Sequence, residues 1–111
     1  MGGSVRATVV ALRHVEDEVS LARTKSSKQA LDTVALVVPN VNRARERLRF
    51  AVASNHDPIR KAQLSQAIDH IDDALNAARL ALHACPEDQL NARLREIVEH
   101  LIIATTYAED D

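Results

Sequence analysis

The stretch VALVVPNVNRARERLRF, residues 34–50, decides how many helices this chain contains, because Pro39 interrupts it. A proline inside a helix removes one backbone donor and clashes with the carbonyl group four residues earlier, here that of Ala35. The apolar spacing nevertheless keeps one helical phase on both sides of the proline. The stretch therefore predicts a single helix over residues 27–53, kinked between Ala35 and Pro39, with a break at Asn40 as the alternative. Its predicted core line is Leu31, Val34, Val38, Val41, Leu48 and Val52.

Three breaks divide the chain into four helical segments. Ser26 and Gln29 form a capping-box pattern, which predicts the start of the second helix. Asp57 followed by Pro58 is typical of a helix start, because aspartate caps the first turn and proline is tolerated in it. Pro86 ends the third segment and opens the fourth.

Four helices with short connections predict an all-α fold, an antiparallel up-down-up-down four-helix bundle whose second helix is kinked at Pro39. A chain of 111 residues has the length of one domain. We expect residues 4–111 to form that domain and residues 1–3 to be a disordered, tag-like N-terminus. The predicted helices span residues 4–23, 27–53, 58–84 and 87–108.

In the other three helices, apolar residues recur at steps of three and four, which is typical of the core-facing stripe of a bundle helix. The first helix is predicted to bury Val5, Val9, Leu12, Val15, Val19 and Ala22. The third is predicted to bury Leu64, Ile68, Ile71, Leu75, Ala78 and Leu82. The fourth is predicted to bury Leu90, Leu94, Ile97, Leu101, Ala104 and Ala108.

The composition argues against several classes of protein. A net charge of −2 is not that of a polybasic nucleic-acid-binding protein. No glycine follows Gly3, which argues against glycine-rich phosphate loops and dinucleotide-binding fingerprints. The longest apolar run, residues 34–38, is too short to cross a bilayer, and the single cysteine, Cys85, fits a reducing compartment. We expect a soluble, cytoplasmic protein without a membrane partner, of natural or designed origin.

A second apolar surface lies on the side of the first helix opposite its core line and continues on the second helix. A monomeric bundle needs one apolar stripe per helix, so several further aligned residues predict a buried partner surface. We expect a homodimer, with another helical protein as a second candidate partner. Scattered exposure of single apolar residues is the alternative. The predicted interface residues are Val10, His14, Leu21, Leu36, Arg43 and Phe50.

Basic residues gather at one end of the predicted bundle, where the second helix ends and the third begins. The arginines of residues 43–49 spread around their helix, and aromatic residues for base stacking are nearly absent. Nucleic acid is therefore not the expected partner. A solvated face paired with Glu46 and the acidic residues 109–111, or a site for an anionic protein or small ligand, are the alternatives. The anion-binding candidates are Arg45, Arg49, Arg60 and Lys61.

Arg45 stands out among these residues because it falls on the predicted core line between Val41 and Leu48. A charge at such a position must be paired or must reach outward to water. The candidate partners are an acid across a dimer interface or one of Asp69, Asp72 and Asp73 on the third helix.

The five histidines do not form a known metal-binding pattern in the sequence. Di-iron four-helix bundles use inward-facing Glu-x-x-His pairs, and this spacing does not occur here. We therefore expect no metal and no other cofactor. His–carboxylate pairs one turn apart include His14 with Glu18, His70 with Asp73, and Glu96 with His100.

The last helix contains RLREIVEH, residues 93–100, in which Arg93 and Arg95 precede His100. An arginine followed by four to six residues and a histidine, near the end of an all-α domain, resembles the motif of the HEPN ribonuclease superfamily. The resemblance implies an RNA-cleaving dimer in which Arg93 or Arg95 acts with His100 across the interface. The chain departs from the family pattern at Leu94 or Glu96, where a polar residue usually follows the arginine, and at Ile102, where an aromatic residue is usual.

These features favour a non-catalytic helical interaction or assembly module that associates with itself through the second apolar surface. The alternatives are a HEPN-like RNA-cleaving dimer, a protein that binds a ligand inside the bundle, and a designed scaffold.

Overall fold

Four helices and short connections make up the part of the chain that the computed structural model describes, residues 2–83 and 85–109. The predicted all-α, four-helix fold is therefore confirmed. None of these helices is both long and apolar enough to cross a membrane. The helices are α1 (Gly2–Ala22), α2 (Ser27–Ser54), α3 (Pro58–Leu82) and α4 (Glu87–Ala108).

The helix starts follow the predicted capping residues. Ser26 caps α2: its hydroxyl accepts a hydrogen bond from the backbone N–H of Gln29 at 3.3 Å, and the Gln29 side chain accepts one from the backbone N–H of Ser26 at 3.4 Å. Asp57 caps α3 by accepting from the backbone N–H of Ile59 at 3.0 Å, with Pro58 in the first turn. These bonds satisfy backbone donors that the first turn of a helix otherwise leaves unpaired.

The bounds of α4 are the predicted ones, and those of the other helices differ by one or two residues. Helix α1 begins at Gly2, and α3 ends at Leu82, whereas the predicted end at Ala84 lies outside the described residues. The predicted disordered tag over residues 1–3 includes Met1, which also lies outside the described residues. The tag therefore stays a prediction.

Helix α2 runs without interruption through Pro39. The single helix is thereby confirmed and the alternative break at Asn40 is wrong, while the kink stays a prediction. Pro39 and Ala35 are both exposed, so water can bond to the Ala35 carbonyl that the proline leaves without a backbone donor.

Helix α1 packs against α2 and α4, and α3 packs against the same two helices, so the four surround one core. The long dimension of 45 Å is close to the length of a single helix of 25–28 residues, about 40 Å at 1.5 Å per residue. The start of α3 contacts the end of α4, since Arg60 donates to the carbonyl of Ala108. Likewise, Arg23 after α1 donates to Asn91 near the start of α4 at 3.0 Å. Such contacts are those that the predicted antiparallel order requires.

The core is aliphatic, and the stripes predicted for α1 and α4 face it. Every predicted core residue of α4 is buried, as are those of α1 apart from the half-buried Val5. In α3, Ile68 and Leu75 are half-buried against the core. The prediction of a buried Leu82 is wrong, because the helix ends at this residue and leaves its side chain exposed.

The core line of α2 also differs in part from the prediction. Val37 and Ala44 are buried, whereas Val38 is half-buried. The buried face of α2 is therefore rotated slightly from the predicted core line, toward Val37 and Ala44. Arg45 consequently lies beside the core line, with the buried Ala44 next to it. The buried residues of α2 are Ala30, Val34, Val37, Val41, Ala44 and Leu48.

Candidate functional site

Two histidines from different helices meet at the edge between α3 and α4. The Nδ1 atoms of His70 and His100 lie 3.4 Å apart, and the ring centroids are 5.7 Å apart with planes inclined by 26°. Both side chains are half-buried. The position of each histidine is set by the residue that follows it in the sequence. Ile71 and Leu101 are buried in the core, so the histidines lie beside the core.

Two further side chains complete this group. Asp73 lies one turn along α3 from His70, and its Oδ2 is 3.9 Å from Nδ1 of His100. One ligand atom from each of His70, Asp73 and His100 lies within 4.8 Å of the others. Tyr107, two turns along α4 from His100, stacks on His70 with centroids 5.8 Å apart and planes inclined by 11°. We call these four residues the histidine cluster.

Small buried residues bring α3 and α4 close enough for the cluster to form. Helix axes approach more closely when the side chains at the contact are short. The alanines at 67, 74, 77, 78 and 81 are all buried in α3, and Ala104 is buried in α4. The alanine-rich composition of α3 thus places the two imidazole rings within contact distance.

An open apolar groove of about 460 Å³ adjoins the histidine cluster, and Tyr107 belongs to both. Ile59 in its lining is 72% exposed. The cluster therefore has an apolar surface beside it on which a ligand could rest. The groove is lined by Pro58, Ile59, Ala62, Gln63, Gln66 and Tyr107.

The arginines of the HEPN-like motif pair with carboxylates of their own helix. Arg93 lies 3.2 Å from Glu96, and Arg95 lies 3.7 Å from Glu99. His100 instead contacts His70 and Asp73 on α3. Within the described chain the structure thus groups His100 with α3 rather than with the two arginines.

The predicted interface residues are all exposed on α1 and α2. Leu36 is 72% exposed and Phe50 is 74% exposed. Arg43 donates to Asn40 on its own helix. We call Val10, His14, Leu21, Leu36, Arg43 and Phe50 the α1–α2 surface.

The anion-binding candidates make contacts within the chain. Arg45 donates to Asp72 on α3 at 2.5 Å, which confirms one of the three predicted partners on that helix. This hydrogen bond is the main reason why the pKa of Arg45 is raised above its ordinary value. Arg49 lies 3.5 Å from Glu46, whereas Lys61 is exposed.

Arg60, the remaining candidate, binds the end of α4. Its guanidinium donates to the backbone carbonyl groups of Tyr107, Ala108 and Glu109, at 3.4, 2.5 and 3.3 Å. A cation there complements the negative end of the helix dipole and satisfies its last carbonyl groups. Asp110 and Asp111, the rest of the predicted acidic tail, lie outside the described residues. Binding of an external anion at this end stays a prediction.

The histidine cluster and its groove are not predicted from the sequence. His70, Asp73 and His100 are recognised there only in separate pairs on single helices, and Tyr107 belongs to no predicted site. One available signal is the regular spacing of Arg93, His100 and Tyr107 at seven residues, which places all three on one edge of α4. Which residues of α3 lie opposite this edge depends on how α3 and α4 are aligned, and no local sequence pattern predicts that alignment.

Comparison with protein-family models, with curated proteins and with solved structures finds no match to this chain.

Proposed function

We propose that this protein is a non-catalytic interaction module that forms a homodimer through the α1–α2 surface. The observation that carries the proposal is the exposure of Leu36 and Phe50, each above 70%, on one side of α2. Each is seven residues from Arg43, one before it and one after it, so the three side chains point in nearly the same direction. Another helical protein is the alternative partner for the same surface.

Helix geometry supports treating the residues of α1 and α2 as one surface. At 100° per residue, His14 and Leu21 on α1 lie on the side of that helix away from its core line. Leu36 and Phe50 lie on the corresponding side of α2, since Arg45 on the other side reaches Asp72 of α3. The two sets therefore face away from the core on two helices that pack against each other.

Burial of large apolar side chains in the interface would stabilise the dimer. Burying a Leu or Phe side chain contributes about 1.5–3 kcal/mol. A stable interface covers about 800 Å² per partner, roughly an eighth of the surface of 6732 Å². The α1–α2 surface runs along two helices of 21 and 28 residues and has the length for such a contact.

Charge also supports pairing of the surface with itself. The exposed acids Glu18 and Asp32 lie toward the α1–α2 connection, whereas Arg43 and Arg47 lie toward the far half of α2. A surface with both signs can place unlike charges opposite each other about a two-fold axis. A cytoplasmic location is part of the proposal, because the free Cys85 fits a reducing compartment.

The test compares two substitutions at equally exposed positions. Leu36 and Ile59 are each 72% exposed, but only Leu36 belongs to the α1–α2 surface. We expect sedimentation velocity to give twice the chain mass of 12.2 kDa for the wild type and for Ile59→Glu, and the monomer mass for Leu36→Glu. Circular dichroism of both variants confirms that the helices are intact.

A wild-type chain that sediments as a monomer at high micromolar concentration would refute the homodimer. A dimer that Leu36→Glu leaves intact and Ile59→Glu dissociates would move the interface to the groove between α3 and α4.

A further inference from the structure

We propose that the histidine cluster binds one divalent transition-metal ion, with Zn²⁺ as the reference ion, through His70, Asp73 and His100. The proposal goes beyond self-association, because the cluster lies between α3 and α4 and shares no residue with the α1–α2 surface. It begins from the donor atoms: two imidazole nitrogens and one carboxylate oxygen lie within 4.8 Å of one another.

The spacing of the two imidazole nitrogens matches a tetrahedral metal site. With Zn–N distances of about 2.0–2.1 Å, two nitrogens on a tetrahedral ion are about 3.3–3.4 Å apart. The Nδ1 atoms of His70 and His100 are 3.4 Å apart. The separation of the two nitrogens therefore equals that of two ligands on such an ion, and a turn of the rings would direct both toward it.

Asp73 can supply the third ligand with a small adjustment. Its Oδ2 is 3.9 Å from Nδ1 of His100, about half an ångström more than the edge of a tetrahedral site. The side chain is exposed, so it can move toward the ion without displacing core residues. His70 and Asp73 share one edge of α3, since residues three apart are neighbours on a helix.

The surroundings hold the histidine rings in place before any ion binds. Tyr107 stacks on His70 in nearly parallel orientation, and His100 stacks on His70 from α4. Both histidines are half-buried beside core residues. Ligands that are already oriented lose less conformational freedom on binding than mobile surface side chains do.

The donor set indicates which ions the site would take. Imidazole suits Zn²⁺, Ni²⁺, Cu²⁺ and Co²⁺, whereas Mg²⁺ and Ca²⁺ require mostly oxygen ligands. Three protein ligands leave a fourth position for water or for an external ligand. Because Tyr107 also lines the apolar groove, such a ligand could bind the ion and the groove together.

The test is isothermal titration calorimetry with ZnCl₂ on the chelator-treated chain without a polyhistidine tag. We expect one Zn²⁺ per chain and no binding of Mg²⁺. His70→Gln and His100→Gln should each weaken Zn²⁺ binding by at least about 100-fold, and Asp73→Asn by about 10-fold. His56→Gln removes an exposed histidine in the connection between α2 and α3 and should leave the affinity unchanged.

A second measurement separates loss of a ligand from loss of the fold. Co²⁺ gives visible absorption bands that are strong in a tetrahedral site, and circular dichroism reports helix content. We expect the bands in the wild type and in His56→Gln but not in His100→Gln, with equal helix content in all three.

Three results would overturn the proposal. They are no Zn²⁺ binding up to millimolar concentration, affinity that His70→Gln and His100→Gln leave unchanged, and binding that disappears in a His83→Gln, Cys85→Ser double variant. The last result would place the ion at the connection between α3 and α4.

Discussion

At the scale of single residues, the charged groups beside the core show how this chain accommodates polarity without a polar core. Arg45 lies next to the buried Ala44 and reaches across to Asp72 on α3. A partner on that helix was predictable from the sequence, because a charge near the core must be paired. The choice of Asp72 from three aspartates within five residues was not, because it depends on how α2 and α3 are aligned.

Glu16 is the opposite case, a carboxylate that gains little from its surroundings. Its Oε2 is buried and has no hydrogen-bond partner within the described residues. Burial raises the pKa of Glu16 above its ordinary 4.5, the positive charge of Arg13 opposes the shift, and Asp17 adds to it. The folded chain therefore binds a proton at this carboxyl more tightly than the unfolded chain does.

The raised pKa of Glu16 predicts a pH-dependent gain in stability for Glu16→Gln. The stability that protonation of Glu16 contributes is fully present below pH 4.5 and is lost as pH rises through the folded pKa. Glu16→Gln should thus match the wild type in acid and exceed its free energy of unfolding at pH 7. We expect about 0.5 kcal/mol, because the half-buried group remains partly solvated.

Urea denaturation of Glu16→Gln at several pH values measures this difference. The control is Glu18→Gln, which removes the same charge from an exposed position on the same helix. A gain that is as large in the control, or that is greatest in acid, would contradict the assignment to the buried oxygen of Glu16.

At the scale of elements, α2 shows how far apolar periodicity determines a helix. The phase shared by residues on both sides of Pro39 predicted one continuous helix, and the structure has it. Periodicity did not distinguish Val37 from Val38 as the more buried residue. At 3.6 residues per turn, two adjacent positions can face the core almost equally, and the neighbouring helices decide between them.

Continuity through Pro39 predicts that Pro39→Ala stabilises the protein. Alanine restores a backbone donor to the Ala35 carbonyl and removes the steric clash of the ring. A proline in a helix interior destabilises the helix by about 3 kcal/mol. Proline also restricts the unfolded chain, and this offsets up to about 1 kcal/mol of that penalty. Because Pro39 and Ala35 are exposed to water, we expect a gain of about 1–2 kcal/mol in the free energy of unfolding.

Thermal and urea denaturation measure the effect of Pro39→Ala. Ser65→Ala, at an exposed position inside α3, is the control for helix propensity alone and should gain less. If Pro39→Ala instead lowers the free energy of unfolding, the proline is needed to fit α2 against its neighbours.

At the scale of the whole molecule, the fold was predictable and the histidine cluster was not. Caps and apolar stripes are local, so they located the four helices to within about two residues. His70 and His100 are thirty residues apart and meet only because α3 and α4 pack in one particular alignment. That alignment follows from the fit of many core side chains. The sequence identifies these residues but does not show which of them are in contact.

Self-association also predicts a property of the whole molecule, a melting temperature that depends on protein concentration. A dimer that unfolds to two chains gains stability by mass action as concentration rises. A 100-fold increase contributes about 2.7 kcal/mol per dimer, which is about 1.4 kcal/mol per chain. For a chain of about 100 residues this corresponds to a rise of roughly 5–10 °C. We expect this rise for the wild type and for Ile59→Glu in reversible scanning calorimetry, whereas Leu36→Glu should melt at one temperature throughout. A melting temperature of the wild type that is equally independent of concentration would argue that the folded unit is the single chain.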